Sequence, residues 1–141
     1  MRHSEDVGTK EDLCRYRIEV AKQDIKSAKA LLDIEDYRGA NNRAYYAIFH
    51  MINAVHALDG VAYKRHKDAI GNFNKGYIKT DIFAREWGRK INEAEQIRHA
   101  SDYDDFYIAN KDEAKNQVEV AEEFIKIIEE YCDSVMKKSN S

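Results

Sequence analysis

The chain has 141 residues and a formal net charge of −3, with no Pro, six Gly and two Cys. That length suits one ordinary domain, and the scarcity of helix breakers and β-turn formers argues against a strand-rich fold. The negative total argues against general adhesion to nucleic acid, and two cysteines at positions 14 and 132 fit neither a disulfide framework nor a metal-binding spacing.

The opening MRHSEDVGTKED lacks the apolar core of a secretory signal. The most apolar stretch, Ala44 to Leu58, is interrupted by His50, Asn53 and His56, so it does not read as a membrane span. A cytoplasmic protein with no membrane association is expected. Three windows carry helical periodicity. Cys14, Ile18, Ala21, Ile25, Ala28 and Leu32 form the first apolar stripe; Ala40, Ala44, Ala47, Met51, Ala54 and Leu58 form the second. Ala114, Val118, Ala121, Ile125, Ile128, Cys132 and Val135 form the last. Both cysteines lie on stripes and are expected in the core. Thr9 with Glu11 and Asp12 marks the start of the first helix, and Asp33 to Asp36 a short connection. The first two helices therefore pair as an antiparallel hairpin.

Tyr45, Ile48, Phe49, Ile52 and Val55 make the second helix apolar on most sides, which places it centrally and leaves a remainder that could serve a dimer. Asp59-Gly60 ends it. Residues 64–75 read as a short helix broken near Gly76. Phe83, Trp87, Ile91, Ala94 and Ile97 predict a further helix starting near Asp81, and Ala100 to Asn110 an irregular loop. The expected fold is all-α: an up-and-down bundle of about five helices in a single domain over residues 1–141. Its core covers about 10–135, and a short polar tail ends in KKSNS. Charge is unevenly spread: residues 63–90 hold 8 Lys/Arg against 3 Asp/Glu, and residues 91–141 hold 6 against 13. The basic middle is either a solvated face or an anion-binding surface.

Generic catalytic patterns are missing: no phosphate-cradling glycine loop, HExxH, CxxC or nucleophile elbow occurs. His50 and His56, six residues apart, fall on different helix faces and read as packing or rim residues. More specific are three stretches in order: DYRGANNRAYYAIFH (Asp36 to His50), KRHK (Lys64 to Lys67) with FNKGYIK (Phe73 to Lys79), and IRHASDYDDF (Ile97 to Phe106). Together they resemble the HEPN family of helical domains, in particular its branch of small prokaryotic proteins with an RAYYA helix, an HK pair and an R…DY helix end. The resemblance covers about residues 10–135.

It implies a four- or five-helix bundle, commonly a homodimer, that binds nucleotide or RNA, with some members acting as metal-independent RNases; no cofactor, metal or DNA specificity is expected. A minimal nucleotidyltransferase partner in a toxin–antitoxin or defence setting is also implied. Nuclease members carry an Arg followed after four to six residues by a His. Arg98 fits the first position, but Tyr103, Asp104 and Asp105 stand where the His belongs, and His99 follows too closely.

That gap matters, because metal-free RNA cleavage needs a base for the 2′-hydroxyl and an acid for the leaving oxygen. Arg holds the phosphate with its forked donors. His66 could substitute if the fold carries it to Arg98. Arg43, His66, Lys67, Arg98 and Tyr103 are the candidate phosphate-binding residues, and Arg98 with His66 the candidate catalytic pair. Asp102 and Asp104 are the candidate polar partners, with an Arg43–Asp102 pair expected to pin the fourth helix to the second. Tyr45, Tyr46 and Tyr103 could stack on a base or simply pack. Three readings stay open: a nucleotide- or RNA-binding module, a metal-independent RNase toxin, and a structural interaction module without ligand.

Overall fold

The computed structural model describes residues 8–139, and five α-helices organise them: α1 (Lys10–Asp33), α2 (Tyr37–Leu58), α3 (His66–Phe73), α4 (Glu86–Tyr103) and α5 (Lys111–Ser139). No strand occurs among the described residues, and no helix is long and apolar enough to cross a membrane. The MRHSEDV start and the last two residues of the KKSNS tail lie outside the described residues; the helical part of that tail belongs to α5.

Side-chain caps mark the starts of α1, α2 and α5. The Thr9 hydroxyl accepts the Asp12 amide at 3.0 Å, and Asn110 Oδ1 accepts the Glu113 amide at 2.8 Å. Asp36 caps α2 by accepting the Gly39 amide at 2.9 Å. A Cβ on residue 39 would stand 2.6 Å from the Asp36 carboxylate, so glycine permits this cap.

The three stripes are buried as expected, save that Leu32, Leu58 and Val135 are only half-buried while Phe124 and Met136 join the α5 face. Helix α2 packs against α1, α3, α4 and α5. Helices α1 and α4 run antiparallel to it: Lys10 at the start of α1 lies against Gly60 beyond the end of α2, and Arg38 at the start of α2 reaches the end of α4. Helix α5 is antiparallel to α1, joined by Lys22–Glu129 at 2.7 Å and by Lys29–Glu122. Cys14 and Cys132 are free, fully buried thiols. The apolar sides of α2 are thus covered within the chain, so this helix leaves no apolar remainder for a second copy.

Two boundaries differ from expectation. Gly76 does not end the third helix; a π-helical turn continues through Asn74–Ile78. Tyr77 and Ile78 are buried there, and Tyr77 stacks on Phe73 at 5.4 Å, so core packing carries the helix past the glycine. Helix α4 begins at Glu86 rather than Asp81, which takes a left-handed turn (φ +62°). It runs on to Tyr103, into the stretch that reads as a loop. Arg38 explains that extension, because its guanidinium donates to the carbonyls of Ser101 (2.5 Å), Asp104 (3.2 Å) and Tyr107. The last carbonyls of a helix lack intrahelical partners, and here one side chain satisfies them.

The small side chains on α2 set its distance from its neighbours. Ala44 is completely buried, and Ala44→Leu adds three carbons to a filled space. Urea unfolding of this variant is expected to show a loss of about 1–3 kcal/mol.

Candidate phosphate-binding site

Two turns of α2 carry Asn42, Arg43, Tyr45, Tyr46, Phe49 and His50, and α1, α3 and α4 each bring one or two polar side chains to them. From α1 comes Asp24, only 6% exposed. Its Oδ1 receives Arg43 Nη1 at 2.9 Å, and its Oδ2, shut from solvent without a hydrogen bond, lies 3.5 Å from His50 Nε2. Burial raises the Asp24 carboxyl pKa, against the pull of His50 and Arg43. Arg43 also donates to Asn42 Oδ1 from Nη2 at 3.0 Å and lies over the Tyr46 ring at 5.0 Å.

From α4 comes Arg98, with a side chain only 14% exposed. It lies over Tyr45 at 4.8 Å and Tyr46 at 5.9 Å and pairs with Asp102 at 3.4 Å. Its Nε is buried without a partner. Asp102 is shared, because Asn42 Nδ2 reaches both its oxygens at 3.1 and 3.0 Å.

From the start of α3 comes His66. Its Nδ1 shares a hydrogen bond with the Tyr45 hydroxyl at 2.9 Å, and its ring stacks on Phe49 at 3.8 Å. Burial, with Glu95 adding, pushes the Tyr45 hydroxyl up to about 12, so it stays protonated. Burial lowers the pKa of His66, and Arg98 nearby lowers it further. Burial also lowers His50, although Asp24 opposes this. The site thus joins two guanidiniums on tyrosine faces with two imidazoles held toward the neutral form.

Of the residues singled out in the sequence, Arg43, His66 and Arg98 meet around Tyr45 and Tyr46. Lys67 follows His66 with an exposed side chain. Tyr103 stands apart, 67% exposed and beside the His99 ring at 4.9 Å. The expected Arg43–Asp102 pair is not formed: Arg43 turns to Asp24, and Asp102 serves Arg98 and Asn42. Asp102 is instead tied to α2 by Asn42, beside the bonds from Arg38 and Asn41 to Ser101. Asp104 caps its own loop by accepting the Phe106 amide at 2.9 Å. The residues missed are Asp24, Asn42 and Phe49. Asp24 had a visible signal: a carboxylate three residues after Ala21 and four before Ala28, on the buried side of the first stripe. His56 packs as expected, its Nε2 bonded to the Ala69 carbonyl at 2.9 Å.

A family model described as the HEPN domain matches residues 14–131. A UPF0332 protein of Thermotoga maritima is 27% identical over 128 residues, spanning 91% of this chain and 97% of that protein. Two Methanocaldococcus jannaschii proteins named as candidate toxins are also similar. One is 33% identical over 61% of this chain and 64% of its own length; the other is 29% identical over 87% and 85%.

The half-buried imidazoles of His50 and His66 set a pH dependence. For a His whose folded pKa is lowered, the unfolded chain binds the proton first, so stability falls as pH drops below the ordinary value of 6.5. Asp24, with its carboxyl raised above 3.8, acts in the opposite sense at lower pH, where stability falls as pH rises. Melting temperature is expected to drop between pH 7.5 and 5.5, and the drop should shrink in His50→Gln and in His66→Gln.

Proposed function

The chain belongs to the HEPN domain family, and from that membership we propose that it is a toxin-like protein whose Arg98, Arg43 and His66 bind the phosphate of a nucleotide or RNA. The single observation that carries this reading is the convergence of these three side chains on Tyr45 and Tyr46. Arg98 engages Asp102 through Nη1 at 3.4 Å and forms no second carboxylate pair among the described residues. The tyrosine faces add cation–π support to both guanidiniums, and the names of the two candidate-toxin relatives support a toxin-like role.

A metal-independent RNase is the second reading, and His66 is what favours it. With Nδ1 engaged by Tyr45, its Nε2 has no partner among the described residues. In the tautomer whose Nδ1–H donates to the Tyr45 oxygen, Nε2 carries no proton and as a base would take that of the 2′-hydroxyl while that oxygen attacks the phosphorus and the P–O5′ bond breaks. The 5′-oxygen would leave with a proton from solvent, and Arg98 would oppose the charge gathering on the phosphoryl oxygens.

Arg98→Ala is expected to weaken binding of a short RNA by about tenfold or more, in line with a lost charge-assisted contact. Arg98→Lys should recover only part of it, because Lys lacks the fork. Since Arg98 is packed on Tyr45 and paired with a partly exposed Asp102, Arg98→Ala should also cost about 1–2 kcal/mol of stability. Affinity should fall with salt with a log–log slope near −0.7 per phosphate contact, and a flat salt response overturns phosphate binding. If the protein cleaves RNA, His66→Ala should abolish cleavage; equal cleavage by that variant removes His66 as the base.

The same reading includes a homodimer and a minimal nucleotidyltransferase partner. Since α2 offers no apolar face, the contact falls to exposed apolar side chains such as Phe106 (95% exposed) and Ile108 (84%) in the α4–α5 connection. Sedimentation at micromolar concentration is expected to show a dimer that Phe106→Ser weakens; a clean 16.4 kDa monomer sinks it.

A further inference from the structure

Beside His66 lies a recess of about 150 Å³ between α1, α2 and the connection to α3, and Arg98 does not line it. Arg17, Phe49, Asn53, Tyr63, Lys64 and His66 line it, and no carboxylate does. Its chemistry differs from that of the recess at the far end of α1, where Asp33 and Glu35 accompany Lys111 and Lys115. Arg17 forms no ion pair with a described carboxylate, and its Nε is shut from solvent without a hydrogen-bond partner. A buried donor left in this state is costly and is relieved when an acceptor arrives. Lys64 likewise has no described partner, whereas its neighbour Arg65 is answered by Asp68 at 3.0 Å.

Size narrows the occupant. At about 150 Å³ the recess has room for a phosphate group. Position narrows it further. The His66 ring stacks on Phe49 at 3.8 Å on the recess side, and its Nδ1 bonds to Tyr45, whose ring carries Arg98 at 4.8 Å. His66 is thus the residue that links the recess to the Arg98 cluster, and a strand with one phosphate at Arg98 would reach Arg17 and Lys64 by passing it. The aromatic edges of Phe49 and Tyr63 offer contact for sugar or base between the two phosphates.

We propose that this recess is a second phosphate subsite, formed by Arg17, Lys64 and His66, which takes the phosphate adjacent to the one held at Arg98 in an RNA strand. It presupposes the first subsite, at Arg98.

The test is calorimetric titration of the full chain with two 2′-O-methylated probes, which resist cleavage. One is uridine 5′-monophosphate, with one phosphate; the other is the 5′-phosphorylated uridine dinucleotide, with two. Wild type is expected to bind the second about tenfold more tightly. Arg17→Gln and Lys64→Gln, both compatible with folding because Gln suits helices and loops alike, should each remove most of that gain. Each should also reduce the log–log salt slope by about 0.7, and leave mononucleotide affinity unchanged. Arg98→Ala should weaken both probes. Should the Arg17 and Lys64 variants bind both probes as wild type does, the second subsite is overturned while the reading of Arg98 stands. Binding of both probes unaltered by Arg98→Ala overturns that reading, and the second subsite with it. Mononucleotide binding lost in Arg17→Gln alone makes the recess the primary site and overturns the proposed order.

Discussion

Helix α2 has almost no solvent face: thirteen of its 22 residues are buried, and four other helices cover it. A helix so placed can keep polar side chains only if surrounding elements satisfy them, since an unpaired polar group out of water is costly. Most polar residues of α2 accordingly reach a partner on α1, α3 or α4. Arg43 finds Asp24 on α1, Tyr45 finds His66 on α3, and Asn41 and Asn42 find Ser101 and Asp102 on α4. His56 takes the Ala69 carbonyl, and Arg38 takes the last carbonyls of α4. The candidate site is therefore the polar lining of the central helix, assembled because that lining has to be answered.

The electrostatics follow from the same enclosure. Arg43 and Arg98 each carry a carboxylate partner, while burial favours neutral His50 and His66. An incoming phosphate would meet cations already half-engaged and held in place by tyrosine rings. Preorganisation of this kind lowers the reorganisation needed on binding, because the guanidiniums are oriented before the anion arrives.

The uneven charge along the chain also acquires a physical meaning. Acids of α5 are spent on lysines of other helices: Glu129 on Lys22, Glu122 on Lys29 and Glu123 on Lys90 at 3.8 Å. Within the basic middle segment, Arg65 and Arg85 are paired with Asp68 and Asp81. Lys64 is not so answered among the described residues, and it sits where α2 and α3 meet, next to His66. Arg17 and Lys64 thus stand beside the imidazole without a described carboxylate partner, although the chain as a whole is negative.

The sequence by itself determined the all-α class, the three apolar stripes, the central place of α2 and the capped start of α1, because these depend on periodicity and on contacts within a few residues. It also singled out Arg43, His66 and Arg98. Only the tertiary structure decided which partner each residue takes. Asp24 rather than Asp102 answers Arg43, since antiparallel pairing of α1 with α2 sets residue 24 beside residues 43 and 50. The length of α4 was likewise settled at a distance, by Arg38 capping carbonyls some 60 positions along the chain. Tyr103 stayed outside the cluster because it falls at the very end of α4, where the helix turns its side chain to solvent. Partnerships of this kind depend on helix register and on the desolvation of particular atoms, and neither is written in any local window of the chain.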